Sequence, residues 1–199
     1  MSLPCRVRPA NRSAALVAAC VLFALGCAAR PKPSPQTEAD TMRREATPNR
    51  LEASGDRATR AGDMNRAEQY YMAALSMGGE EGKLVRKVVS VCASDGRYPV
   101  AVKYATDFLA KHPEDAQMRF TAGALEAAAG DVAAARVSFE RVVVEQPDLA
   151  EAHYALGMLL RERHEANAEA DTQLRTYLAL EPRGRYAEAA HASLLRRQP

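Results

Sequence analysis

The sequence predicts an all-α fold, a solenoid of about four stacked helix pairs closed by a C-terminal capping helix. Gly62, Gly96 and Gly130 recur every 34 residues, Pro113 and Pro147 are also 34 apart, and Pro182 follows 35 further on. Between these breaks apolar residues keep helical spacing, as in Met118, Ala122, Leu125 and Ala129. Composition agrees: of 199 residues 47% are hydrophobic but only 6% aromatic, with no Trp and many Ala. That balance favours close helix packing over a sandwich of β-branched and aromatic strands. With 26% charged residues, 11 Gly and 11 Pro, the chain is neither disordered throughout, nor collagen-like, nor a multi-span membrane protein.

Residues 1–26 read as an export signal. Arg6, Arg8 and Arg12 give a positive start, and the uncharged run Ala14 to Gly26 falls short of the roughly 18–20 apolar residues that a membrane span needs. Ala24-Leu25-Gly26-Cys27 resembles the lipobox of bacterial lipoproteins, with Ala24 and Leu25 in swapped order. The resemblance implies thioether lipidation of Cys27 and cleavage before it. An ordinary signal peptide cut near Ala29 is the alternative, because Cys27-Ala28-Ala29 is also small. Residues 27–47 then form a tether, Pro-rich at Arg30-Pro31-Lys32-Pro33-Ser34-Pro35 and polar afterwards. At ~3.1 Å per residue, ~20 such residues reach up to ~60 Å.

Removing the signal changes the charge and cysteine arguments. Three Arg leave with it, so 24 basic residues face 25 acidic ones, and no basic surplus remains for a broad nucleic-acid footprint. Cys5 and Cys20 leave as well, and Cys27 is the lipid acceptor, so the folded part keeps only Cys92 and no internal disulfide. In the apolar run Val88-Val89-Ser90-Val91-Cys92-Ala93, with no base nearby in sequence, Cys92 reads as a small buried side chain rather than a nucleophile.

From residue 48 to 182 each period holds two amphipathic helices, a Gly at the turn between them and a Pro or Gly stop at the end. Ala150-Glu151-Ala152-His153-Tyr154-Ala155-Leu156-Gly157 resembles the first helix of the tetratricopeptide repeat, and Gly62 through Leu75 resembles the second. The family's small, aromatic and small packing positions of the second helix hold Ala67, Tyr71 and Ala74, then Ala101, Ala105 and Phe108, then Ala135, Phe139 and Val142. After a one-residue insertion they hold Ala170, Leu174 and Tyr177. The resemblance implies a right-handed solenoid of four repeats. Departures occur at the family's Trp position, here Leu51, Val85, Arg119 and His153, and at its Tyr position, here Ala58, Cys92, Glu126 and Leu160. Glu126 is expected at the rim with its carboxylate in water. Residues 183–199 supply the cap and tail, with Tyr186, Ala189, Ala190, Leu194 and Leu195 facing inward and Arg196 and Arg197 outward.

Motifs for chemistry fail on inspection. Gly78-Gly79-Glu80-Glu81-Gly82-Lys83-Leu84 lacks the first Gly and the Mg-binding hydroxyl of a phosphate loop. His164-Glu165 lacks the second His of a zinc-protease helix, and His112, His153, His164 and His191 are scattered without Cys partners. No catalytic residue, cofactor, metal or small-molecule substrate is expected, and the chain reads as a non-enzyme.

The family resemblance implies a concave groove lined by the first helices. One inward row is Glu52, Arg86, Phe120 and Tyr154, and a second is Asp56, Ser90, Ala124 and Met158. Phe120, Tyr154 and Met158 form an apolar patch beside Lys83, Arg86 and Lys87, a setting for a segment of a protein partner. The alternative is that the aromatics only fill the interior against the cap and the cations form a solvated face. The expected function is a non-catalytic scaffold anchored to the membrane by lipid, in the outer membrane facing the periplasm. It is similar to small pilotin and assembly-accessory lipoproteins of pilus and secretion machines. A soluble periplasmic binding module and an accessory subunit of a cell-wall enzyme complex are the alternatives.

Overall fold

The computed structural model describes residues 47–163 and 167–195. The described residues form nine helices: α1 Pro48–Arg60, α2 Met64–Ser76, α3 Glu81–Ser94, α4 Tyr98–Leu109, α5 Ala116–Ala129, α6 Val132–Glu145, α7 Ala150–Arg163, α8 Asn167–Leu180 and α9 Ala187–Leu195. Each packs chiefly on its neighbours in sequence, giving four antiparallel pairs in line and a final helix against α8. The export signal, Cys27, the tether as far as residue 46, His164, Arg196, Arg197 and the Leu195 side chain lie outside the described residues.

The glycine ladder works through backbone geometry. Gly62, Gly96 and Gly130 have φ of 77°, 72° and 88°, a left-handed conformation that an L side chain adopts only with strain. Each lets the chain fold back over the end of a first helix. The next amide then donates to a carbonyl five residues earlier: Asp63 to Ala58 at 3.0 Å, Arg97 to Cys92 at 2.9 Å, and Asp131 to Glu126 at 2.9 Å. Asp63 and Asp131 then cap the following helix, their carboxylates accepting from Arg66 N at 3.1 Å and Ala134 N at 3.0 Å. Repeat two has Arg97 there, without a side-chain cap, and starts α4 with Pro99 in its first turn instead.

Within each pair a small residue meets a large one. A Cβ added to Gly123 would lie 2.8 Å from the Phe139 ring, and one added to Gly157 would lie 2.8 Å from Leu174 Cγ. One on Gly55 would lie 2.4 Å from the Tyr71 ring. These glycines stand 34 residues apart or twice that, and repeat two inverts the pair, with Val89 in the glycine register and Ala105 in the register of the large residue. Both are buried, so volume is conserved by exchange across the interface. The twelve packing positions of the second helices, from Ala67 to Tyr177, are all buried.

Three expectations need correction. Ala129 ends α5 in solvent, although Met118, Ala122 and Leu125 are buried, because the chain turns away at Gly130. Ala189 is exposed, while Ala190 is buried and Tyr186 and Leu194 pack against the same cluster, with Ala187 and Ser193 buried beside them. Glu126 is only partly exposed, and its carboxylate accepts the Ser138 hydroxyl at 2.7 Å rather than relying on water alone.

The departures at the family's Trp position are all buried. Leu51 and Val85 pack in one continuous cluster that runs from α1 to α5. Arg119 and His153 reach the prolines of the preceding loops instead. Arg119 donates to the Pro113 carbonyl and lies 3.4 Å from Glu145, and His153 Nε2 donates to the Pro147 carbonyl at 2.9 Å. Buried polar atoms are tolerated there because each finds a partner.

Candidate functional site

The first helices carry the two rows expected to face inward. At the amino-terminal end the rows are charged. Lys83 and Lys87 of α3 both reach Glu52 of α1 at 2.7 Å, and Lys87 also reaches Asp56 at 2.5 Å. The Tyr71 hydroxyl donates to Asp56 at 2.8 Å and lies 3.1 Å from the Thr59 hydroxyl, with the Lys87 ammonium 5.4 Å from the Tyr71 ring. Hydrogen bonds from Lys83 and Lys87 hold the Glu52 carboxyl below its ordinary pKa. Burial pushes the Asp56 carboxyl up, but Lys87 and Tyr71 outweigh it and the net shift is downward. Burial likewise opposes the charge on Lys87, and Asp56 and Glu52 more than offset it. Arg86 pairs with Asp115 at 2.5 Å, bonds the Gly82 carbonyl, and lies 5.7 Å over the Phe108 ring. All three predicted cations therefore already have carboxylate partners.

The carboxyl-terminal end of the same rows is uncharged. Phe120, Tyr154 and Met158 are each partly buried, and Ser90 and Ala124 between the ends are exposed. Phe120 leans on Phe139 with ring centroids 5.7 Å apart. Tyr154 stacks on Tyr186 at 4.3 Å with the planes 2° apart, and tilts against Tyr177 at 5.3 Å. The Tyr177 hydroxyl in turn accepts the Tyr186 amide at 2.9 Å, fixing the chain just before α9. Burial beside these two rings raises the Tyr154 pKa. Phe120 and Tyr154 pack against different clusters, the first with Phe139 and Leu156, the second, with Met158, around Leu174 and Tyr177.

Sequence reasoning placed Glu52 and Asp56 in the rows but missed them as partners of Lys83 and Lys87, missed Asp115 as the partner of Arg86, and placed Tyr186 inward in the cap without pairing it to Tyr154. A signal for the first two existed. Each pair is 31 residues apart, one helical turn short of the period, so opposite charges at that offset meet across adjacent first helices. No comparable offset announces Tyr186, which lies beyond the repeats.

Elsewhere the reactive groups are occupied. The Cys92 thiol is fully buried, and burial, reinforced by the Glu68 carboxylate, pushes it up to about 11. Glu68 holds Arg97 at 2.7 Å and accepts the Tyr104 hydroxyl at 2.9 Å, joining the first two repeats. Among the described residues no group of three or more His, Cys, Asp or Glu is placed to hold a metal ion.

No protein-family model matches the chain, and no curated protein matches it. Solved structures share its fold. YrrB, described as a TPR protein with an unusual peptide-binding site, aligns with a TM-score of 0.64 and 20% identity over 79% of this chain and 81% of its own. A tetratricopeptide repeat protein from Parabacteroides merdae ATCC 43184 gives 0.66 and 19% identity over 74% and 58%. MamA from Desulfovibrio magneticus RS-1 gives 0.61 and 17% identity over 73% and 86%. The architecture is the tetratricopeptide-repeat solenoid that the helix motifs imply, and at these identities the likeness concerns the fold.

Proposed function

We propose that this chain is a non-catalytic scaffold of the cell envelope that holds a segment of a partner protein in its concave groove. The observation that carries the reading is the uncharged end of the first-helix rows. There, partly exposed Phe120, Tyr154 and Met158 flank the exposed Ala124, on a fold shared with a protein described by its peptide-binding site. Tyr154 is held in place by its stack on Tyr186, so the surface is organised before a partner arrives and little ordering entropy is lost on binding. The charged end is self-neutralised. A partner carboxylate would have to compete with Glu52 for Lys83 and with Asp115 for Arg86, so apolar anchoring dominates affinity and charge sets register.

Anchoring is proposed from the sequence. Cys27 accepts the lipid and the tether holds the solenoid away from the bilayer. Ala28 and Ala29, in place of the Asp that retains many lipoproteins at the inner membrane, direct the chain to the outer membrane, facing the periplasm. Two or more acyl chains suffice for stable attachment. Assistance in assembling a pilus or secretion machine is the process that the resemblance to pilotin-type lipoproteins suggests. Ala124→Glu tests the groove. Introduced at an exposed helix position, the substitution should change stability by less than about 0.5 kcal/mol. It should cut capture of envelope partners from crosslinked membranes at least tenfold, and undiminished capture would refute groove binding.

A further inference from the structure

We infer that Arg185 reads an acidic side chain of the partner, so that the segment held by the first-helix rows carries an Asp or Glu beside its apolar anchors. This deepens the groove reading and rests on it. The row of Glu52, Arg86, Phe120 and Tyr154 does not stop at the last repeat. Tyr186 lies against Tyr154 with ring centroids 4.3 Å apart and planes 2° apart, and the Arg185 guanidinium lies 4.6 Å from the centroid of the Tyr186 ring. Tyr154 takes one face of that ring and leaves Arg185 the other, so two rings and a guanidinium form one stack that ends in a cation. The loop carrying that cation is fixed. Gly184 N donates to the Glu181 carbonyl at 3.1 Å, Ala187 N to the Gly184 carbonyl at 3.0 Å, and Tyr186 N to the Tyr177 hydroxyl at 2.9 Å. A Cβ on Gly184 would lie 2.5 Å from the Tyr177 hydroxyl and from a Glu181 carboxylate oxygen, so the close passage of the chain needs glycine.

Charge separates Arg185 from the cations of the first half. Lys83, Arg86 and Lys87 each reach a carboxylate at 2.7 Å or less. Arg185 is exposed and pairs with no carboxylate among the described residues. Exposed Arg183, two residues earlier, has none either, and Glu181 and Glu188, the nearest acids in sequence, form no ion pair with them. A guanidinium stacked by its face keeps its N–H donors in its own plane, clear of the ring and matched in geometry to a carboxylate. The stack already restricts the side chain, so little rotamer freedom is lost when an acid docks. The occupant is a peptide segment rather than a small anion, because the cation continues a partly exposed apolar surface of Phe120, Tyr154 and Met158 that an anion alone would leave uncovered.

The test selects peptides from a phage-displayed random library on the full chain. The winning sequence is then synthesised with an amidated carboxyl end, in its acidic form and with each Glu→Gln or Asp→Asn, and bound in solution by fluorescence anisotropy. Selected peptides should combine an Asp or Glu with apolar or aromatic residues. Arg185→Gln should weaken the acidic peptide about fivefold and leave the neutral one unchanged. Arg50→Gln, the same charge change at an exposed position of the first repeat, should leave both unchanged. Equal weakening of both peptides by Arg185→Gln would make Arg185 only a support for the Tyr186 ring, and equal weakening by Arg50→Gln would make the effect one of overall charge; either overturns the inference. Peptides selected without an acid, whose binding Ala124→Glu abolishes, would overturn it and leave the groove reading standing. Selection of no peptide, or of peptides indifferent to Ala124→Glu, would overturn the groove reading and this inference with it.

Discussion

The two halves of the solenoid solve the same packing problem differently. In repeats one and two the joint positions are Leu51 and Val85, and one apolar cluster runs unbroken from α1 into α5. In repeats three and four they are Arg119 and His153, and the core divides into two smaller clusters. A repeat array is stable as a sum of units and interfaces, so an apolar joint can be exchanged for a polar one wherever the polar atoms are satisfied. The carbonyls of Pro113 and Pro147 do this at equivalent points of the period, which gives those loop prolines a second task besides stopping helices. The first-helix rows follow the same division, charged and internally paired over the first half, aromatic over the second.

Breaking the joints should expose the difference. Arg119→Ala removes the partner of the Pro113 carbonyl and leaves a cavity, and should cost about 2–3 kcal/mol. Val85→Ala at the equivalent position should cost about 1–2 kcal/mol. Amide exchange should localise the first loss to α5 and α6 and spread the second over α1 to α5. Uniform loss in both variants would show that the halves do not differ.

A smaller effect concerns pH. The Glu52 and Asp56 carboxyls are held below their ordinary values in the folded chain, so their contribution is present above the usual carboxylate range of about 4 and is lost as pH falls through the depressed values. Thermal unfolding followed from neutral to acid pH should show α1 and α3 weakening, and the double variant Glu52→Gln, Asp56→Asn should show a shallower decline. An identical decline in the variant would remove these ion pairs from the account.

Much of the fold was legible because the 34-residue ladder is written in residues whose chemistry is local. A glycine with positive φ and a proline that stops a helix do the same thing in any context, and the four sets of second-helix packing positions followed from that register. Alanine is less informative. Ala129 and Ala189 fit an apolar stripe yet lie in solvent, since a methyl group contributes too little burial to orient a helix end. Arg119 could be read as a departure but not as a buried donor, because its acceptor is a backbone carbonyl with no side-chain signature. The first-helix row residues were placed by the period. Their partners Asp115 and Tyr186 depend on tertiary contacts at offsets that the period does not contain.

The central claim, that a partner lies in the groove of the second half, is tested most directly by site-specific photocrosslinking in cells. A photoreactive residue at Ala124, exposed on a first helix, should capture the partner, while one at Val137, 64% exposed on the second helix of the same repeat, should not. Capture from Val137 with none from Ala124 would contradict the account.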